Sequence, residues 1–111
     1  MERIMSEIKH TPGPWTYSRW DEHGYTRFYI AQQEGAPYTP DYSDVASMVT
    51  ETVSGERIAV QEANARLIAA APELLEALRL CYDHCRLYFP EVEHNNVGEA
   101  VRSALAKATG A

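Results

Sequence analysis

Pro72 interrupts a run that otherwise favours helix from end to end, EANARLIAAAPELLEAL over residues 62–78. Proline has no N–H to offer the carbonyl of Ile68, and its ring crowds that carbonyl. In the first turn of a new helix the missing N–H costs nothing. The run therefore predicts two helices, one over 62–71 and a longer one over 72–89, set at an angle. A single kinked helix is the alternative. Ala69, Ala70 and Ala71 leave room for the two segments to approach at the corner.

After Pro72, Leu74, Leu75, Leu78, Cys81, Cys85 and Phe89 recur at helical spacing. Pro90 stops that helix. Asn96 followed by Glu99 resembles a capping box for a last helix, whose apolar face runs through Val97, Val101, Ala104 and Leu105. The leucine stripe of the longer helix needs an apolar partner.

The partner is expected from the first sixty residues, where the period is two. YTRFYIAQQ, residues 25–33, alternates Thr26, Phe28 and Ile30 against Tyr25, Arg27 and Tyr29. With Trp15–Trp20 before it and a turn at 21–24, this predicts a β-hairpin over about 14–33. VASMVTETV (45–53) and RIAV (57–60) read as a second hairpin. Between the two lies EGAPYTPDYSD (34–44), a long loop with two prolines and two tyrosines. Residues 1–9 read as loose. The fold expected is α+β in one domain, 1–111. An antiparallel sheet of about 4–5 strands over 10–60 packs against a layer of 2–3 helices over 62–109.

Charge narrows the partners. The net charge is −6. Nucleic-acid affinity comes largely from phosphate neutralisation, so DNA or RNA is not an expected partner. No apolar run approaches the roughly 20 residues that cross a bilayer, so no membrane is expected either. MERIMSEIKH lacks the apolar block of a signal peptide, and the expected location is the cytoplasm.

Chemistry-bearing motifs are sparse. Cys81 and Cys85 are four apart on a predicted helix and read as buried reduced thiols. His10, His23, His84 and His94 are scattered, and no paired metal-ligand motif accompanies them. There is no glycine-rich phosphate loop and no nucleophile–base order. The expectation is a protein without catalytic residues, metal or cofactor.

His10-Thr11-Pro12-Gly13-Pro14-Trp15, Ile58-Ala59 and the run from Glu62 to Leu78 together resemble a family of small phage and prophage proteins. In that family HTPGPW opens the chain and EANARLIAAAPELLEAL forms its helix. The resemblance implies a phage accessory gene and no particular activity. The element order is also similar to that of phage anti-Thoeris proteins, which sequester cyclic ADP-ribose immune signals as oligomers. That similarity carries no site residues over.

The residues themselves offer two leads. Arg19, Arg27 and Arg57 lie among the tyrosines and tryptophans of the sheet half. Guanidinium forks match phosphate oxygens and aromatic faces stack on bases. Arg27 between Tyr25 and Tyr29 on one strand face suits a nucleotide-like anion. A plain solvated strand face is the competing account. Asn64 and Arg66, read as the first turn of a helix, form a second anion lead. There the competing account is a capping Asn64 and a surface Arg66. The expected ligand site is Arg19, Tyr25, Arg27, Tyr29, Arg57, Asn64 and Arg66.

The function expected is therefore binding. Its target is a nucleotide-derived immune signal or, alternatively, a host defence protein such as a CRISPR effector. Exposed sheet edges and aromatic surface also predict a homodimer or higher homo-oligomer.

Overall fold

The structure is a computed structural model, and it describes residues 10–33, 44–51 and 55–110, apart from the side chains of residues 50 and 51. The predicted loop over 34–44, up to residue 43, and the loose segment over 1–9 lie outside the described residues. The elements in chain order are β1 (Trp15–Glu22), β2 (Tyr25–Gln32), β3 (Asp44–Glu51), α1 (Gly55–Ala69), α2 (Ala71–Tyr88), a 3₁₀ turn (Pro90–His94) and α3 (Asn96–Thr109). The fold is α+β. The described residues fall into two compact units, 10–72 and 73–110.

The first unit is built on an antiparallel sheet of order β1-β2-β3. The hairpin turns on His23 and Gly24, whose φ values of 49° and 81° are the two positive angles of a tight two-residue turn. This turn sets Glu22 opposite Tyr25, Trp20 opposite Arg27 and Arg19 opposite Phe28. Residues that face each other share a side of the sheet, so the pleat divides cleanly. Thr26, Phe28 and Ile30 point inward and are buried, while Tyr25, Arg27 and Tyr29 point outward and are exposed.

α1 covers the inner face and lies across all three strands. Phe28 and Ile30 meet Ile58 and Ala65 there, with Trp15, Tyr17, Val45, Met48 and Ile68 packed around them. Full burial of a side chain the size of Phe28 stabilises by about 1.5–3 kcal/mol. Val45 has no partner in the β2–β3 ladder, at an irregularity beside Ile30 and Ala31, and it too packs on the core.

Three expectations are corrected here. The sheet has three strands among the described residues, not four or five. RIAV is not a strand; it lies in the first two turns of α1, which begins at Gly55 rather than Glu62. And within this unit the helix on the inner face is α1, where the apolar pattern predicts the longer helix after Pro72. One residue explains the missed start. Glu62 sits on the inner side of α1 between Ile58 and Ala65 and breaks the apolar pattern. It is accommodated there because Tyr17 donates its hydroxyl to Glu62 Oε2 at 3.0 Å and Arg19 lies 3.6 Å from Oε1.

The chain does break before Pro72. The last turn of α1 tightens, with Ala70 N–H shared between the carbonyls of Arg66 and Leu67 at 3.1 and 3.2 Å. Pro72 then occupies the first turn of α2. Gly13 lies directly on the Pro72 ring: a Cβ at Gly13 would come within 2.8 Å of Pro72 Cβ. Segments 10–15 and 62–72 thus meet in space. The opening segment is tied down further by Trp15 Nε1–H to the Thr11 carbonyl (3.0 Å) and Gln32 Nε2–H to the Pro12 carbonyl (3.1 Å).

The second unit holds most of α2, the 3₁₀ turn and α3. Asn95 caps α3, its side chain accepting from Gly98 N–H at 3.0 Å, one residue earlier than the capping box predicted. Gly110 ends the helix in the left-handed region, as expected. Val92 is buried against the start of α3, where Gly98 packs on its carbonyl. Arg86 bonds Glu93 at 2.9 Å, and Arg102 donates to the Tyr82 hydroxyl at 2.8 Å. No side chain of α2 is fully buried. Cys81 is exposed and Cys85 half-buried, both as free thiols, so the expectation of buried thiols fails at Cys81.

Candidate functional site

Arg27 stands at the middle of the outer sheet face. The period of two puts Tyr25 and Tyr29 on either side of it along β2. The register puts Trp20 opposite it on β1 and Val49 opposite it on β3. The guanidinium is thereby framed by three aromatic rings and one aliphatic side chain. All four frame residues are solvent-exposed, Trp20 at 60% and Tyr25 at 49%. Glu22 and His23 complete the rim of an open recess of about 640 Å³ over this face.

The guanidinium is held in place by its neighbour. Arg27 Nη1–H donates to the Tyr29 hydroxyl at 2.7 Å, and its carbon lies 5.6 Å from the centre of the same ring. Such a cation–π contact at an exposed site contributes about 0.5–1 kcal/mol. It orients the charge while leaving most of the donor fork directed to solvent. At the rim, His23 Nε2 is 3.4 Å from Glu22 Oε1.

The structure brings Tyr25, Arg27 and Tyr29 together and separates the other four predicted residues from them. Arg19 is on the inner side, opposite Phe28. Its charge is engaged by Asp21 at 3.2 Å and Glu62 at 3.6 Å. Asp21 also accepts from Thr26 Oγ1–H at 2.7 Å, and this bond, helped by Arg19, holds the Asp21 carboxyl below the usual carboxylate range. Arg57 lies in the first turn of α1, in a shallow depression with Glu56, Val60 and Gln61. Asn64 is in the body of α1 and Arg66 in its last turn, where it lies 3.9 Å from Glu62. With the helix starting at Gly55, neither is near free N–H groups, and the argument that made them an anion lead is lost.

Trp20, Glu22, His23 and Val49 were missed. Trp20 was reachable from the sequence: a two-residue turn at His23-Gly24 pairs positions whose numbers sum to 47, and 20 pairs with 27. Val49 required the β2–β3 register, which the intervening long loop conceals.

Among the described residues, no three His, Cys, Asp or Glu side chains converge as a metal site would require, and no helix is long and apolar enough to cross a membrane. No curated protein and no solved structure matches the chain. A protein family does. The model of the family described as Salmonella phage P22 protein Y8K6 matches residues 1–111, and the chain belongs to that family.

Proposed function

We propose that this phage-family protein acts by non-enzymatic binding to counter host defence in the host cytoplasm, without a cofactor. Most concretely, it sequesters a nucleotide-derived immune signal, a cyclic ADP-ribose or a cyclic nucleotide. The observation that carries this reading is Arg27, oriented by Tyr29 and framed by exposed Trp20 and Tyr25 over an open recess. Arginine forks accept phosphate oxygens, and exposed rings accept bases by stacking. The phage family and the element order, an antiparallel sheet followed by helices as in phage anti-Thoeris proteins, agree with such a role. Self-association, as a dimer or higher homo-oligomer, belongs to the same proposal. Calorimetry with cyclic nucleotides and cyclic ADP-ribose isomers tests it, and absence of heat with every ligand, on folded protein, removes it.

A second reading rests on a different region. α2 and the start of α3 expose Leu74, Leu80, Leu87 and Val97, each more than half accessible, in a chain of net charge −6. Exposed apolar side chains within an acidic chain suit a protein partner, such as a CRISPR effector or another host defence complex with a basic cleft. Stoichiometric co-elution with a purified effector, lost on Leu80→Ser, supports this reading over the first.

A further inference from the structure

We infer that the outer sheet face selects a planar ligand bearing one negative charge over a ligand bearing two or more; this inference rests on the binding reading above. It follows from the charge arithmetic of the recess. Among its described lining residues Arg27 is the one permanent cation, and Glu22 is a carboxylate on the same rim. The formal charges of these two residues, +1 and −1, cancel. A single anionic group placed on Arg27 leaves Glu22 at the edge. A second one meets no permanent cation among the described lining residues and approaches that carboxylate.

Donor geometry leads to the same conclusion. A guanidinium has five N–H groups, and one on Nη1 is already given to the Tyr29 hydroxyl. The four left belong to a single guanidinium and bring one positive charge, which one phosphate or carboxylate neutralises. The frame around it is apolar and aromatic on all four sides, Tyr25 and Tyr29 along the strand, Trp20 and Val49 across it. That frame rewards a flat ring and, beyond the two tyrosine hydroxyls, offers a chain of phosphates no second positive charge. The net charge of −6 adds to the penalty on each extra ligand charge.

Of the two signal classes proposed, a cyclic mononucleotide carries one phosphodiester charge and cyclic ADP-ribose carries two on its pyrophosphate. The expected discrimination is roughly tenfold, the size of one uncompensated charge at an exposed, partly screened site.

Calorimetry on the full chain at low salt, with 3′,5′-cyclic AMP and cyclic ADP-ribose as probes, measures this directly. The cyclic mononucleotide is expected to bind about tenfold tighter. Arg27→Gln is expected to abolish its binding, and Glu22→Gln to narrow the gap by favouring the doubly charged probe. Both variants alter exposed side chains, and circular dichroism checks their folding. Equal or tighter binding of cyclic ADP-ribose, or a ratio unmoved by Glu22→Gln, overturns the inference while leaving the face a binding site. Failure of both probes overturns the inference, and failure of the whole panel of cyclic nucleotides and cyclic ADP-ribose isomers removes the binding reading as well.

Discussion

The two units solve the same burial problem with unequal success. In residues 10–72 a three-stranded sheet and α1 close on each other, and Phe28, Ile30 and Ala65 lose essentially all contact with water. In residues 73–110 the buried positions are Val92 and Gly98, and α2 buries no side chain fully. Both units have a regular apolar pattern. A sheet presents a broad surface to a helix, whereas two helices joined by a short 3₁₀ turn meet along a narrow line. Apolar periodicity therefore tells which face of an element wants cover. It does not tell whether the chain itself supplies that cover.

The largest effect sought is the energetic version of this contrast. Phe28→Ala is expected to cost about 3–5 kcal/mol in urea unfolding. Leu80→Ala, on α2, is expected to stay within about 0.5 kcal/mol. If Leu80→Ala instead costs as much as Phe28→Ala, this exposed side chain of α2 is covered in solution. A midpoint that rises with protein concentration would then identify a second copy as the cover.

The next test concerns the corner between the motifs. Gly13 has no space for a methyl group against Pro72, so Gly13→Ala is expected to destabilise the first unit by roughly 1–3 kcal/mol through overpacking. Gly24→Ala probes the tight turn, where nothing lies within contact distance but φ is positive. Unchanged stability of Gly13→Ala would mean that segment 10–15 is not seated against Pro72 as described. In the second unit the equivalent local test is Asn95→Ala, expected to cost about 1 kcal/mol by removing the cap of α3. Asn95→Asp should retain the stability, because a carboxylate also caps and favours the helix start.

How far the sequence reveals this molecule depends on how local each determinant is. The β1–β2 hairpin follows from strict alternation around His23-Gly24. The break before Pro72 follows from the chemistry of one residue. The first turns of α1 were hidden because Glu62, a polar residue on an inner face, is tolerated only through Tyr17 and Arg19, which lie more than forty positions away. The candidate site was half legible for a geometric reason. Arg19 and Arg27 are both odd-numbered, but a two-residue turn pairs odd with even positions, so they point to opposite faces. The same rule places Trp20, which the aromatic count alone did not single out. Residue chemistry could suggest an anion-binding surface, and only the register could say which arginine belongs to it.

The smallest effect distinguishes the units by the origin of one perturbed carboxylate in each. In the first, the buried Thr26 hydroxyl bonds Asp21, with Arg19 assisting; in the second, Arg86 bonds and attracts Glu93. Both carboxyls are held below the usual range, near pH 4, of their unfolded forms. A lowered folded-state value means the contribution to stability is complete above about pH 4–5 and is lost as pH falls through the folded-state values. Both groups are well exposed, so the loss is slight, and carbon-13 titration of the side-chain carboxyls reads it better than unfolding does. Thr26→Val should return Asp21 towards the ordinary range, and Arg86→Gln should do the same for Glu93. Salt separates them further. Added to 1 M, it should raise the Glu93 value more than that of Asp21, because an ion pair between exposed groups is screened and a bond from a buried hydroxyl is not. An Asp21 that shifts with salt as strongly as Glu93 would show that Arg19, not Thr26, governs it, and would make the inner edge of the sheet as loosely held as the helical unit.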